Sequence, residues 1–156
     1  MTAPIRVLFL CTHNSARSQI AEAMLRHMGG DDFAAFSAGT EVTRVHPLAL
    51  AALAERGIDI RGLSSKHLGD FVGQHVDVVI TVCDRANDAC PVFPGDTERI
   101  HWSFPDPSAV EGTDAERLAA FRHVREGLER RLGPFIEAHH PQHAAKQEDT
   151  NASNGR

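Results

Sequence analysis

The chain alternates short apolar runs with longer stretches of helical spacing. Residues 5–10 form a short apolar run rich in branched side chains, which is typical of a strand buried on both faces of a parallel sheet. From Ser18 onward the apolar positions recur at helical spacing, and a glycine pair at residues 29–30 can end that helix. The pattern therefore predicts a strand, a loop and a helix in that order.

The same alternation continues along the chain. Three further strands are predicted, at residues 33–37, 76–82 and 99–104. One helix begins at Pro47 and ends before Gly57, and a capping box at residues 113–116 begins a long last helix. The glycine and proline at 133–134 should kink or end that helix, although Phe135 and Ile136 could carry a frayed continuation. Strands that alternate with helices predict an α/β domain, with helices on both faces of a parallel sheet.

Length and composition indicate one domain and a polar tail. The chain has 156 residues, and single domains commonly hold about 100–200. Residues 139–156 contain no large aliphatic or aromatic side chain, so they cannot offset the entropy lost on ordering. We expect a single catalytic domain over residues 1–138 and a disordered tail over 139–156. Its histidines could capture a metal ion, but their spacing builds no closed tetrahedral site, and a solvated tail is favoured.

Charge and cysteine content narrow the class of protein. Lys and Arg number 16 against 21 Asp and Glu, a net charge of −5, so the overall field does not attract nucleic acid or acidic lipid. The apolar run near the N-terminus is too short to predict a signal or membrane helix, so we expect a cytoplasmic protein. Three cysteines, Cys11, Cys83 and Cys90, are an odd set that favours reactive thiols over structural disulfides. Each cysteine alone could equally be a small buried hydrophobe.

The loop after the first strand carries the strongest chemical signal. Its backbone N–H groups, together with a helix N-terminus, would form a concavity that suits a tetrahedral dianion. The same field favours the thiolate of Cys11, which could attack the bound centre. Arg17 supplies a planar fork for two oxyanion oxygens, Ser18 can donate to the thiolate, and Asn14 tolerates left-handed backbone angles. The predicted oxyanion-binding loop comprises Thr12, His13, Asn14, Ser15, Ala16, Arg17 and Ser18.

A candidate acid follows a later strand. Asp106 lies between two prolines, in a segment that must be a loop, and it could act as general acid and base. The alternative is a carboxylate that only caps a turn. Ligands of parallel sheets bind beyond the carboxyl ends of the strands, so Cys11, Cys83 and Asp106 should gather at one edge of the sheet.

These motifs carry a family resemblance over about residues 5–138. The chain resembles the low-molecular-weight protein tyrosine phosphatase superfamily in VLFLCTHNSARSQIAE at 7–22, Ser-Ala-Gly at 37–39 and Asp-Pro at 106–107. Within that superfamily it is similar to the thioredoxin-coupled arsenate reductases in Thr-Val-Cys at 81–83, Ala-Cys-Pro at 89–91 and His-Trp-Ser-Phe-Pro-Asp-Pro at 101–107.

The resemblance implies both a fold and a chemistry. The implied fold is flavodoxin-like, a three-layer sandwich whose four parallel strands have the order 2-1-3-4. Cys11 would be the nucleophile, Arg17 and the loop amides would hold the oxyanion, Asp106 would be the acid, and Cys83 and Cys90 would form a resolving relay. Arsenate would be reduced to arsenite without a metal or organic cofactor, because the electrons arrive by thiol exchange from thioredoxin. We expect a monomer with no nucleic-acid or membrane partner.

Two positions depart from the pattern that the resemblance implies. His13 stands where such loops usually carry a small residue, so it could alter access or local charge. Lys66 stands where some relatives carry an aspartate that helps to bind a potassium ion. If Lys66 points toward Asn14, Glu22 and Ser37, its ammonium would support the loop in place of that ion. A solvated loop lysine is the alternative.

Two other functions fit part of the sequence. A phosphatase could use the same loop and acid to hydrolyse phosphoesters through a phosphocysteine intermediate. It would have no use for Cys83 and Cys90 as a pair, however, and the chain contains no tyrosine that could flank a phenyl ring. A thiol trap for arsenite or zinc would use the three cysteines as ligands, but it would leave Arg17 and Asp106 without a role.

Overall fold

The structure, a computed structural model, describes residues 3–139. Its elements are β1 (Ile5–Cys11), α1 (Arg17–Gly29), β2 (Phe33–Gly39), α2 (Pro47–Ala54), β3 (Val78–Thr81), α3 (Asp84–Asp88), β4 (Glu98–His101) and α4 (Asp114–His139). The four strands form one parallel sheet in the order β2-β1-β3-β4. The flavodoxin-like arrangement expected from the sequence is confirmed.

The core surrounds β1, one of the two inner strands. Successive side chains of a strand point to opposite faces of the sheet, and every residue from Val7 to Cys11 is buried, so both faces are covered. Helix α1 packs against α2 and α4, and the buried side of α4 contributes Phe121, Leu128 and Leu132. No helix among residues 3–139 is long and apolar enough to cross a membrane.

The carboxyl ends of the strands meet at one edge of the sheet. Cys11 lies opposite Gly39 of β2, and Leu10 lies opposite Thr81 of β3. A Cβ atom on Gly39 would lie 2.6 Å from the carbonyl oxygen of Thr12, so only glycine lets the loop after β1 pass this closely. The loop after β1, which the sequence predicts to bind an oxyanion, lies at this edge.

Helix α4 does not end at residues 133–134, which was one of the two outcomes that the sequence predicted there. The helix continues through Pro134 to His139, because its last turns are packed against the domain. The buried ring of Phe135 lies 5.9 Å from the ring of Trp102 and 4.2 Å from that of His139, measured between centroids. His139 also contacts Glu98 at 2.7 Å. His139 therefore belongs to the helix and not to the predicted tail, and residues 140–156 lie outside the described residues.

Two strands are shorter than predicted, while the capping box is confirmed. The apolar run at 76–82 and the segment 99–104 are strands only at Val78–Thr81 and Glu98–His101. Val76 and Val82 are buried outside the strand, although the Val82 amide still donates to the Leu10 carbonyl oxygen at 2.9 Å, and an apolar run does not show where a strand ends. At the start of α4 the Thr113 hydroxyl accepts from the Glu116 amide at 3.1 Å, and the Thr113 amide donates to the Glu116 carboxylate at 3.2 Å.

Candidate active site

A cavity of about 250 Å³ opens at the carboxyl edge of the sheet. It joins the loop after β1, the segment after β2 and the loop after β4. Its lining residues are Cys11, His13, Ser15, Ala16, Arg17, Thr43, Asp106 and Ser108. The structure thus brings three predicted residues, the thiol, the guanidinium and the carboxylate, into one cavity, although Cys11 and Asp106 lie far apart in the sequence.

The thiol of Cys11 is held by a chain of side-chain hydrogen bonds. Its Sγ lies 2.8 Å from Ser18 Oγ, which accepts from Asn14 Nδ2 at 2.7 Å. Because the Asn14 amide supplies that proton, the hydroxyl proton of Ser18 is free to point at the sulfur and to stabilise a thiolate. Asn14 has φ of 49°, the left-handed conformation that its residue type tolerates.

The first turn of α1 faces the cavity without a side-chain cap. Ala16 occupies the N-cap position, where no side chain accepts from the helix amides, and its own side chain is buried. The free N–H groups and the helix dipole therefore favour an anion at this end of α1. Arg17 Nη1 donates to the carbonyl oxygen of Phe104 at 3.0 Å, which fixes the guanidinium beside the loop after β4.

Asp106 lies on the opposite rim of the cavity. Its Oδ1 accepts from the Ser108 amide at 2.9 Å and from the Ser108 hydroxyl at 2.7 Å. Burial raises the pKa of Asp106, but the bonds from Ser108 and the charges of Arg17 and His13 outweigh it, and the pKa lies below its ordinary value. Asp106 is therefore ionised at neutral pH. A bound dianion would favour the protonated form, because two like charges repel each other.

Cys83 lies behind the loop and begins α3. Its Sγ is 3.4 Å from the Thr12 hydroxyl and accepts from the Ala86 amide at 3.4 Å, as the N-cap of the helix. Only 5% of Cys83 is exposed. Since Thr12 directly follows Cys11, the second thiol lies next to the loop that holds the first.

Cys90 lies just beyond the other end of α3. It is half-buried, and its Sγ donates to the carbonyl oxygen of Pro91 at 3.6 Å. Burial raises the pKa of the Cys90 thiol above its ordinary value, although Arg99 partly opposes the shift. All three cysteines are free thiols. With α3 folded, Cys83 and Cys90 lie at opposite ends of a helix, about 10 Å apart at 1.5 Å per residue, which is too far for a disulfide.

A buried carboxylate supports the loop from below. Glu22 is 1% exposed, accepts from Ser37 Oγ at 2.8 Å and pairs with Arg26 at 2.7 Å. The Lys66 ammonium lies 3.7 Å from the same carboxylate, and the Lys66 amide donates to Asn14 Oδ1 at 2.8 Å. The ammonium also donates to the carbonyl oxygen of Ser64, so the Lys66 side chain lies beside Glu22, while only the Lys66 backbone amide bonds to Asn14.

His13 lies at the mouth of the cavity and pairs with Glu41. Its Nε2 is 3.0 Å from a Glu41 carboxylate oxygen, and its ring is 45% exposed. The backbone carbonyl of His13 accepts from Thr43 Oγ1 and from Ser65 Oγ, both at 3.1 Å. The ring thus stands over the cavity while the backbone is fixed to two neighbouring segments.

Sequence reasoning missed several residues that shape the cavity. Thr43 and Ser108 line it, and Glu41 pairs with His13 at its rim. Only Ser108 had a sequence signal, because a serine two residues after an aspartate commonly closes a turn on that carboxylate. The segment at 41–43 has no regular pattern, and the tertiary fold alone brings it to the loop.

A buried thiol at a helix N-terminus without a side-chain cap, with a guanidinium and a carboxylate in the same cavity, forms a cysteine-centred site on a flavodoxin-like fold. Residues 6–148 match the family described as low molecular weight phosphotyrosine protein phosphatase, and the chain belongs to this family.

Its similar proteins include several arsenate reductases. An arsenate reductase of Halalkalibacterium halodurans is 44% identical over 131 residues, which cover 84% of this chain and 94% of that protein. A thioredoxin-dependent arsenate reductase of Corynebacterium glutamicum is 34% identical with a TM-score of 0.66, over 88% of this chain but 65% of that one. A structure described as an arsenate reductase in the oxidized state is 34% identical with a TM-score of 0.70, over 85% of this chain and 97% of that one.

Proposed function

We propose that this protein reduces arsenate to arsenite through a relay of Cys11, Cys83 and Cys90 that thioredoxin regenerates. The observation that carries the proposal is the position of Cys83. Its sulfur is 3.4 Å from Thr12, beside the nucleophile, and it begins the short helix that separates it from Cys90. A hydrolase needs only the nucleophile and has no use for Cys83 and Cys90.

The first step joins arsenic to the nucleophile. The Cys11 thiolate attacks the arsenic atom of arsenate, which Arg17 and the free amides of α1 hold by its oxygens. A sulfur–arsenic bond forms as one arsenic–oxygen bond breaks. Asp106, protonated beside the bound dianion, gives its proton to the departing oxygen, which leaves as water or hydroxide.

The second step moves electrons to arsenic. The Cys83 thiolate attacks Cys11 Sγ, a disulfide forms, and the sulfur–arsenic bond breaks with its electron pair staying on arsenic. Arsenic(V) thereby becomes arsenic(III), which leaves as arsenite. Cys90 then attacks Cys83 Sγ, which releases Cys11 as a thiolate and leaves a Cys83–Cys90 disulfide. A dithiol of the thioredoxin class reduces that disulfide by the same exchange reaction.

Hydrolysis of phosphoesters is the second candidate, because the family is described as a phosphatase family and the same cavity suits phosphate. Two features oppose it as the main activity. Among the described residues, no Phe, Tyr or Trp side chain lines the cavity. The cavity is also small, at about 250 Å³, which suits an inorganic oxyanion better than an aryl ester.

The test is turnover of arsenate by the purified protein with NADPH, thioredoxin reductase and thioredoxin. We expect NADPH oxidation that requires both arsenate and thioredoxin, with one arsenite released per NADPH. Glutathione and mycothiol systems serve as alternative reductants, and p-nitrophenyl phosphate reports hydrolysis. Hydrolysis without arsenate-dependent NADPH oxidation in any thiol system would favour the phosphatase instead.

A further inference from the structure

The ring of His13 lies at the mouth of the cavity around Cys11, between two acidic side chains. On one side its Nε2 is 3.0 Å from a carboxylate oxygen of Glu41, in the segment after β2. On the other side Asp106 lines the same cavity from the loop after β4, close enough for the charge of His13 to act on it. The ring therefore stands beside the path of any ligand group that extends out of the cavity.

We propose that His13 is a specificity-determining residue: its ring narrows the mouth, so that the cavity accepts inorganic tetrahedral oxyanions and rejects derivatives with an organic group at one corner. The proposal deepens the proposed function and rests on it, because arsenate is the inorganic oxyanion that the cavity would admit. In a derivative the organic group has to leave through the mouth while the remaining oxygens bind Arg17 and the amides of α1.

Backbone hydrogen bonds fix the place from which the ring projects. The His13 carbonyl oxygen accepts from Thr43 Oγ1 and from Ser65 Oγ, both at 3.1 Å. The Glu41 amide donates to the carbonyl oxygen of Thr12 at 2.9 Å, so the partner of the ring is tied to the same loop. An exposed ion pair contributes little stability by itself. The loop backbone therefore holds the base of the ring, and Glu41 selects the direction in which it points.

The cavity is small, and His13 contributes much of the bulk around it. Its volume of about 250 Å³ lies below the range of about 300–1,000 Å³ that is typical of pockets for organic ligands. Apart from Arg17, His13 is the largest of the side chains that line it. Loss of the ring should therefore widen the mouth without removing the thiol, the guanidinium or the carboxylate.

The chemistry around the ring also disfavours an organic group. The neighbouring side chains at the mouth are polar or acidic, namely Glu41, Thr43, Asp106 and Ser108. An apolar group placed there would cover carboxylates without donating a hydrogen bond to them, which costs free energy. The alternative role of a flat ring is a platform on which an aryl group stacks. The two roles predict opposite effects when the ring is removed.

Binding of three stable oxyanions tests the role of His13 without turnover. Inorganic phosphate, methylphosphonate and phenylphosphonate are tetrahedral oxyanions that carry no organic group, a small one and a large one. Their Kd values for the reduced protein are measured from NMR shifts of the amides of residues 12–18. The quantity compared is the Kd of each phosphonate divided by the Kd of phosphate for the same protein. A change of charge at position 13 affects all three ligands, so this ratio isolates the effect of size.

The ratios should depend on the volume of the side chain at position 13. In the wild type we expect phenylphosphonate to have the larger ratio. In His13→Ala that ratio should fall by roughly tenfold, the effect of relieving a modest steric clash, and the methylphosphonate ratio should fall less. The φ angle of His13 is not positive, so alanine fits the backbone there. His13→Gln, which is long enough to reach Glu41, should keep the wild-type ratios.

A second small side chain and a matched histidine serve as controls. His13→Ser should reproduce the effect of His13→Ala, and a fall in only one of the two would overturn the proposal. His27 is an exposed histidine near the end of α1 that lies away from Arg17, and it does not line the cavity. His27→Ala should keep the wild-type ratios, and a fall there equal to that in His13→Ala would also overturn the proposal.

The remaining outcomes separate this role from the proposed function. An unchanged phenylphosphonate ratio in His13→Ala would overturn the proposal, and a higher one would show that the ring is a platform for aryl groups. If the ratios change as expected but the protein reduces no arsenate with any thiol reductant, the proposed function is wrong and the role of His13 stands. If arsenate is reduced and the ratios do not change, the proposed function stands and the role of His13 is wrong.

Discussion

Arg17 is the residue whose geometry matters most for oxyanion binding. Its guanidinium is held by Phe104 and faces the cavity, so it can present two parallel N–H groups to an oxyanion. Arg17→Lys keeps the charge but removes the fork, and we expect turnover of arsenate to fall by at least roughly 100-fold. Arg44→Lys, on the exposed segment beside the cavity, is the control and should stay near wild type. A near-wild-type rate in Arg17→Lys would show that the fork is not used.

We expect the charge of Lys66 to make activity independent of potassium. Its ammonium lies 3.7 Å from buried Glu22, where it supplies a fixed positive charge under the loop. We expect equal catalytic efficiency in potassium and sodium chloride at the same ionic strength. Lys66→Met should lose roughly threefold to tenfold in efficiency, as a partly exposed charge contact would, while Lys66→Arg should retain most of it. A clear rise with potassium in the wild type would contradict this account.

At the level of single residues, the sequence predicted which side chains meet in the cavity better than it predicted their contacts. Cys11, Arg17 and Asp106 could be named because a thiol, a guanidinium and a carboxylate each suit oxyanion chemistry and each lies near a predicted strand end. Ser108 acts through Asp106, and only the folded loop brings the two side chains within 3 Å of each other. No periodicity in the sequence encodes such distances.

Substitution of the cysteines at the two ends of α3 distinguishes arsenate reduction from phosphoester hydrolysis, the two activities that the cavity could support. Cys11→Ser should abolish arsenate reduction and any hydrolysis of p-nitrophenyl phosphate, because both need the nucleophile. Cys83→Ser and Cys90→Ser should abolish multiple turnover of arsenate only, since hydrolysis uses neither end of α3. The measurement is a pair of steady-state assays on the three variants. If Cys83→Ser lost hydrolysis as completely as Cys11→Ser does, the relay role of Cys83 would be wrong.

At the level of elements, the alternation of apolar runs with stretches of helical spacing predicted the sheet, but it did not predict the residues at which strands and helices begin and end. The order of strands and helices follows from the spacing of apolar residues and from the resemblance, and the structure has the same order. The end of α4 could not be read from sequence, because Pro134 opposes a helix locally while Phe135 anchors it from a distance. Tertiary packing overrides local preference there.

For the whole molecule, the contact between α2 and α4 should make stability depend on pH in a defined direction. Hydrogen bonds from Arg122 and then from Arg125 lower the pKa of Glu55 from about 4.5 to about 2. A carboxylate whose pKa is lower in the folded state stabilises the fold fully at pH values above its unfolded pKa. This contribution is lost as the pH falls through its folded pKa. Glu55→Gln should therefore lower Tm at pH 7, and its difference from wild type should shrink between about pH 4.5 and 2.

Glu129→Gln is the control for that experiment. Glu129 lies 3.7 Å from Arg56, and both side chains are nearly half exposed, so its removal should change Tm little at any pH. If the Tm difference between Glu55→Gln and the wild type stayed constant from pH 7 to pH 2, the charge of the Glu55 carboxylate would not contribute to stability.

The central claim, that arsenic takes its electrons from the thiols and that the resulting disulfide passes from Cys11–Cys83 to Cys83–Cys90, is tested most directly by a single turnover. The fully reduced protein is mixed with one equivalent of arsenate and no reductant, then alkylated, and its disulfides are mapped by mass spectrometry. We expect one arsenite released, a Cys83–Cys90 disulfide and an alkylated Cys11, while Cys90→Ser should accumulate the Cys11–Cys83 disulfide. The relay would be contradicted if arsenite were released while all three cysteines stayed reduced and were alkylated. It would also be contradicted if no arsenite were released and no disulfide formed.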